Sequence, residues 1–427
     1  MDNKTTFLKT LIILLGLITG IVSVYAQEAD TAIISRPIQI TFIHPLGTNG
    51  WNAPRVINKV SLNLLAGVSA GTQGFEFGGL VNVDLGNVRG AQIAGLVNTN
   101  TGNIKGFQLA GLANTVTGSA NGFQAAGIYN FVKESSTGFQ LAGITNINLQ
   151  KSRGAYFAGL TNVLNGEANG FLAAGLANVN TKNNYGTQIA GLTNVTVGTS
   201  KTQIAGLANV GVQATSGLQL AGLVNISPKD HNGSQIAGLV NYTRKLSGFQ
   251  LAFVNVADTI TKGVPVGFIS VVAHGYRRFE FEGNEVLYAN LNFKTGTTKF
   301  YNIFSVGYRP EKETQNWGVT YGIGTLTPIS RKFNFNFDIT ATHLNEDEAW
   351  TNELNLLNRL KFNVSYLLTN RLEIYGGPSL NVAVSKLKNS EGEVTGSSLL
   401  PSYSFYNETI NGTNVKMYMG FNLGLRF

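Results

Sequence analysis

Cysteine is absent from all 427 residues, which excludes a disulfide framework and any thiolate metal site. Charge is scarce as well: Asp, Glu, Lys and Arg make up 13% of the chain, about half the share usual for a soluble domain. After residue 25 no segment reaches the ~20 apolar residues that a membrane-spanning helix needs, so a helical membrane protein is excluded. The formal net charge of +8 is spread thinly and forms no basic run, so nucleic acid is not an expected partner. Glycine, by contrast, is abundant, with 51 residues against 9 prolines.

Residues 1–26 have the layout of an export signal. Lys4 and Lys9 precede an apolar core from Leu11 to Val24, and small or apolar Val24 and Ala26 lead to Gln27. Cleavage is expected between Ala26 and Gln27. The mature chain is then expected outside the cytoplasm, with no lipid anchor on an N-terminal cysteine.

Internal repetition is the main signal. The pentapeptide Ala-Gly-Leu-x-Asn, with small variations, ends at Asn82, Asn98, Asn114, Asn130, Asn146, Asn162, Asn178, Asn194, Asn209, Asn225, Asn241 and Asn255. The spacing is 16 residues apart from one interval of 15 and a last one of 14. One unit, Gly106 to Asn121, reads GFQLAGLANTVTGSAN. Its first part alternates with period two, as a strand does, and the remainder is rich in Gly, Asn, Ser, Thr and Lys, as a turn is.

The two faces of that strand differ. Even positions carry Phe107, Leu109, Gly111, Ala113 and Thr115, and never a charge or an amide; odd positions repeat Gln108, Ala110, Leu112 and Asn114. Charge between Gly74 and Asn255 is confined to turns, except at Glu76 and Lys201. Two architectures fit. An antiparallel meander would use one membrane strand per unit, with the even face toward hydrocarbon and phenylalanines such as Phe75, Phe107, Phe123, Phe139, Phe171 and Phe249 in an aromatic girdle. A β-solenoid would stack like residues into ladders. It needs a second apolar wall, and turns such as Thr181-Lys182-Asn183-Asn184 do not supply one. The meander is therefore preferred.

Beyond the repeats, eight long alternating runs are expected to be strands: Val264–Val272, Tyr276–Lys294, Lys299–Tyr308, Trp317–Leu326, Lys332–His343, Leu354–Leu367, Leu372–Leu387 and Lys416–Phe427. In the last run Met417, Met419, Phe421, Leu423, Leu425 and Phe427 form one apolar face, opposite Lys416, Tyr418, Gly420, Asn422, Gly424 and Arg426. A chain end of this kind resembles the assembly signal of Gram-negative outer-membrane barrels. The expected division is a signal at 1–26, N-terminal strands at 27–73, twelve repeats at 74–255 and barrel strands at 256–427. The expected fold is all-β, a large antiparallel outer-membrane β-barrel of roughly 22 strands; the alternative is a solenoid of about 12 coils attached to an eight-stranded barrel.

The GxQxAGLxN-type repeat resembles the surface-repeat outer-membrane proteins of Bacteroidota, and more loosely those of spirochaetes. It is preceded here by the strand Ile38–Phe42 and the turn from Pro45 to Gly50, and is followed by a barrel-like end. The resemblance covers most of the mature chain. It implies an outer-membrane address and a repeat architecture, and brings no catalytic residue, cofactor or ligand.

No chemistry-bearing site emerges from the sequence. His44, His231, His274 and His343 have no metal-ligand spacing. The acidic cluster Glu346, Asp347 and Glu348 reads as a solvated loop more readily than as a calcium loop. Ser270 and His274 fall on one strand face, but ~13 Å apart along an extended strand. No catalytic, metal or cofactor residue is therefore expected. The chain is expected to be a non-enzymatic surface barrel, a channel or transport barrel, or else a structural or adhesive repeat protein. Its expected partners are outer-membrane lipid, the barrel-assembly machinery through the terminal strand, and an unidentified glycan or protein ligand.

Overall fold

The computed structural model describes residues 32–311, 315–369, 371–389 and 391–427. The export signal read at residues 1–26 lies outside them. The chain divides into two compact units, the first ending at Ala205 and the second running from Gly206 to Phe427.

The first unit is a parallel β-solenoid. Each 16-residue unit folds into one coil with a longer strand, such as Ile104–Ala110, and a shorter one, such as Ala113–Val116. Successive coils pair parallel and in register: Gly106 meets Gly122, Phe107 meets Phe123, Gln108 meets Gln124, and Asn114 meets Asn130. Two further parallel strands, Ile34–Ile43 and Val56–Ser69, precede the repeats. The 22-strand antiparallel barrel is thus corrected to the solenoid alternative. Parallel coils occur in both units, about 14 turns in all. Antiparallel pairing would have set Gln against Asn; the structure sets Gln on Gln and Asn on Asn.

The correction has a local cause. The alternating run is interrupted at Gly111–Leu112, where the chain turns a corner, so one expected strand becomes two walls of a narrow coil. A Cβ on Gly111 would lie 2.0 Å from the Gly95 carbonyl oxygen, so only glycine lets one corner sit on the next. Gly106 enters the longer strand at φ +140°, a conformation that other residues rarely adopt. The period-two parity survives on the longer strand: Gln108 and Ala110 point inward, while Phe107 and Leu109 point out. Leu112, expected beside Gln108, is instead turned outward by the corner.

The second unit begins with further parallel coils, built from Thr215–Ala221, Val224–Ala237, Val240–Leu251, Val254–Val266 and Ile269–Val272. It continues as a closed antiparallel barrel of eight strands: Tyr276–Asn284, Ala289–Thr297, Phe300–Pro310, Gln315–Pro328, Phe333–Asn345, Asn355–Leu367, Glu373–Ser385 and Thr413–Arg426. The first and eighth close the ring, with Glu280 opposite Arg426 and Asn284 opposite Asn422. The expected number of eight holds, with different members. Val264–Val272 belongs to the coils, and Tyr276–Lys294 is a hairpin whose turn is fixed by Asn284 Oδ1 accepting from the Val286 and Leu287 amides.

The last coil is anchored on the barrel wall. Asn302 Nδ2 donates to the Gly267 carbonyl at 2.8 Å, and Asn302 Oδ1 accepts from the Ser270 amide at 2.8 Å. Thr295 Oγ1 donates to the Ser270 carbonyl at 3.1 Å, and the ring of Phe268 stacks on Tyr321 at 4.4 Å. The open strand edge of the final coil is thereby covered, which removes an edge that could recruit another chain.

Candidate functional site

The interior of the solenoid is built from amides. Asn98 Nδ2 donates to Asn114 Oδ1 at 2.9 Å and to the Leu109 carbonyl at 2.7 Å, which ties the corner of one coil to the next. The same pair of bonds recurs from Asn114 to Asn130 and from Asn130 to Asn146 in the first unit, and from Asn225 to Asn241 in the second. A parallel row of Gln donates in the opposite sense: Gln108 to Gln92 at 2.7 Å, Gln124 to Gln108 and Gln140 to Gln124 at 2.6 Å, and Gln235 to Gln219 at 2.7 Å. These amides are buried, so each bond replaces one that water would otherwise supply, at about 1 kcal/mol net. A polar interior stable on these terms needs no second apolar wall.

Near the turns the core is apolar, with Val88, Ile104, Val116, Ala120 and Val132 packed together. At Tyr156 and Leu172 the Gln row is replaced by a second cluster with Leu164 and Ala168, and the Tyr156 hydroxyl donates to the Ser136 carbonyl at 2.9 Å.

Two coil positions carry carboxyl groups where amides stand elsewhere. Glu76 occupies the Gln row and Asp84 faces it, both fully buried. Gln92 Nε2 bonds Glu76 Oε2 at 2.8 Å and Asp84 Oδ2 at 2.5 Å, while Ser69 donates a short bond to Asp84. Burial first, and the neighbouring Glu76 second, raise Asp84 well above the usual carboxylate range. In the second unit His231 is buried against Thr215, with Nδ1 2.6 Å from its hydroxyl, and burial lowers its pKa to about 4.

The barrel inverts the usual order of a soluble protein. Its lumen buries four acids, Glu280, Glu282, Asp338 and Glu373, and four bases, Lys294, Arg359, Lys361 and Arg426. Lys294 Nζ lies 2.7 Å from Asp338 and 3.1 Å from Glu280; Arg426 lies 2.5 Å from Glu280 and 2.9 Å from Glu373; Lys361 lies 2.5 Å from Glu282. Tyr375 donates to both Glu280 and Glu282, and Tyr301 to Asp338. A cavity of about 10 Å³ lies among Glu282, Asn292, Thr340 and Lys361, no more than one water could occupy. One mouth is covered by Val286, Leu287, Leu344, Leu357, Leu399 and Tyr418, and the other by Tyr276, Tyr301, Ile303 and Leu326.

The outside of the barrel is apolar. On the last strand Met419, Phe421, Leu423, Leu425 and Phe427 face out while Tyr418, Asn422 and Arg426 are buried, the parity expected from the sequence. Phe279, Phe281, Leu291, Val306, Ile339 and Val364 continue the belt on other strands.

The solenoid has an apolar exterior too. Corner residues form a column within each unit, half-exposed at Ile144, Leu160, Leu176 and Leu192 in the first and at Leu223, Leu239, Phe253 and Phe268 in the second. Beside it in the first unit, Phe107, Phe123, Phe139, Phe157 and Phe171 stack at 5.0 to 5.6 Å between ring centres. Of the phenylalanines expected in a girdle, Phe107, Phe123, Phe139 and Phe171 thus stand in a ladder on the coils, whereas Phe75 stacks on Ala91 and Phe249 lies between Ser234 and Val264.

The candidate pairs from the sequence do not assemble. Ser270 is buried and donates to the Pro265 carbonyl, whereas exposed His274 pairs with Asp258 at 2.8 Å. Glu346 pins a loop, accepting from the Ser398 amide and hydroxyl and from Asn355, while Asp347 donates its amide to Asn316 Oδ1. His343 stacks on Trp350, and His44 lies edge-on to Trp51. Among the described residues no group of three or more His, Asp or Glu could hold a metal ion. The lumen ion pairs were not foreseen: alternation marks which residues face inward, but not which of them meet.

Compared with known proteins, the chain matches no family model, no curated protein and no solved structure.

Proposed function

We propose that this chain is a non-enzymatic surface repeat protein, exported by its leader and held in the outer membrane by its C-terminal barrel, with a structural or adhesive role for the repeats. The observation that carries this reading is the barrel's inversion, with charge inside and hydrocarbon side chains outside. Contiguous exposed apolar surface on this scale calls for a non-aqueous neighbour, and an antiparallel closed ring with an outward apolar band is what a bilayer accepts. The filled lumen favours an anchor over a channel or transport barrel. The terminal strand, ending at Phe427, would be the segment offered to the barrel-assembly machinery, and a glycan or protein ligand would meet the exposed repeats.

The reading is tested in a Gram-negative host expressing the full chain. It expects the protein in the outer-membrane fraction, a folded form that changes gel mobility only on heating, and labelling of a Lys133→Cys turn variant on intact cells. Recovery in the soluble fraction would overturn it. Steady ion conductance in planar bilayers would overturn the anchor in favour of a channel.

A further inference from the structure

We propose that the corner column of the coils in each unit is a lipid-binding edge, which seats those coils on an anionic membrane surface. The inference rests on the membrane reading of the barrel and adds a second, separate lipid contact.

Three observations converge on it. The first is the column itself, which within each unit is apolar at every coil. Phe157, Leu141 and Ile189 border a shallow apolar trough of about 370 Å³, floored by Ala142, Ala158 and Ala174. No polar side chain lines it.

The second is continuity. In the second unit the column passes from Phe253 to Phe268 at 5.0 Å, and from Phe268 to Tyr321 on the barrel wall at 4.4 Å. Tyr321 pairs across the sheet with Phe304, and the next outward pair on the same two strands is Val306 with Val319. The column therefore runs without a polar break into the belt that the bilayer would cover.

The third is charge. The repeats between Gly74 and Asn255 carry ten cations and five anions, and Glu76 and Asp84 among the anions are buried. Two of the remaining three are already paired, Glu167 with Lys151 and Asp230 with Arg244. Arg89, Lys105, Arg153 and Lys201 occupy the outer position one residue before the glycine-Phe row, or its equivalent, among uncharged Asn121, Thr137, Asn169 and Tyr185, so scattered cations border the apolar row without facing anions in the same stack. Apolar side chains bordered by surplus cations match an interface of acyl chains and anionic headgroups.

The chain has no native cysteine, so single-cysteine variants of the full protein can carry an environment-sensitive dye without background. Leu192→Cys, Leu239→Cys and Phe253→Cys report on the column, Leu423→Cys on the barrel belt, and Lys229→Cys on an exposed polar position of the strand Val224–Ala237. Each is reconstituted in phosphatidylcholine–phosphatidylglycerol vesicles with brominated acyl chains, and emission is read with and without aqueous iodide. The expected result is quenching by brominated lipid at the three column sites and at Leu423→Cys, none at Lys229→Cys, and weaker column quenching when phosphatidylglycerol is left out. Quenching at Leu423→Cys alone would overturn the lipid edge and leave the membrane barrel standing. No lipid quenching at Leu423→Cys would bring down the barrel reading and the edge with it. Column sites shielded from iodide but untouched by brominated lipid would overturn the proposal in favour of a protein neighbour or a second copy.

Discussion

Lys294 and Asp338 stand 44 positions apart in the chain and meet at 2.7 Å inside the barrel, with no route to water for either. Glu280 shares the same ammonium group and is itself held by Arg426. Removing one member of such a set leaves the others charged and buried. Lys294→Met is therefore expected to destabilise the barrel by about 3–5 kcal/mol, through Asp338 left without its cation. Loss of the heat-resistant gel form at a lower temperature would register it; an unchanged transition would show that the pair carries little of the barrel's stability.

The Asn row makes a sharper claim about the solenoid. Asn130 accepts from Asn114 and donates to Asn146 and to the Leu141 carbonyl. Asn130→Ala should cost about 2–4 kcal/mol by orphaning buried groups on both sides, whereas Asn121→Ala, on the exposed face, should change stability by less than ~0.5 kcal/mol. Thermal unfolding followed by far-ultraviolet circular dichroism separates the two.

Asp84 should make the first coils weaker as pH rises. Its carboxyl is raised above the usual value in the folded chain, so the folded state keeps a proton that the unfolded state gives up. The stability that this proton provides is complete below the ordinary carboxylate pKa and is lost as pH climbs toward the folded one. Asp84→Asn restores the residue that follows it in the stack, Asn100, and is expected to raise the melting temperature at neutral pH and to flatten its pH dependence. A melting temperature equally steep in pH after the substitution would contradict this.

His231 predicts the opposite slope in the second unit. Burial holds it neutral down to about 4 in the folded chain, while the unfolded chain takes up a proton near the ordinary value of ~6.5. Stability should fall as pH drops between those limits, by up to roughly 3 kcal/mol. His231→Ser should remove that part of the acid limb, as read from urea midpoints at pH 7 and pH 5.

Coil stacking also predicts which deletions are tolerated. Removing Gly122–Thr137, one whole unit, brings Gln140 against Gln108 and Asn146 against Asn114, so the fold should survive with similar strand content per residue. Removing Gly122–Tyr129, half a unit, should abolish cooperative melting.

Much of this architecture was legible in the residues. The sides of the last strand were readable because Met419 and Tyr418 differ in polarity, and the same alternation separated Phe107 from Gln108. What misled was the expectation that an interior must be hydrocarbon. Gln108 and Asn114 mark a polar face in the sequence, but stacked in register each finds its donor and acceptor in its own kind. Strand direction was not readable either, since the near-symmetry of the unit about Gly111 suits both senses of pairing. Nor could local pattern show that Glu280, Lys294 and Arg426 converge, because closure of the ring brings together residues as much as 146 positions apart.

The opposed senses of the two amide rows bear on how such a chain can change in length. Every added turn that keeps both rows contributes an Asn dipole pointing one way and a Gln dipole pointing the other, and the backbone of a parallel sheet adds little of its own. Polarity therefore does not build up with size. A duplication of one unit meets no electrostatic penalty that grows with the number already present, so copy number is free to drift wherever selection on reach allows.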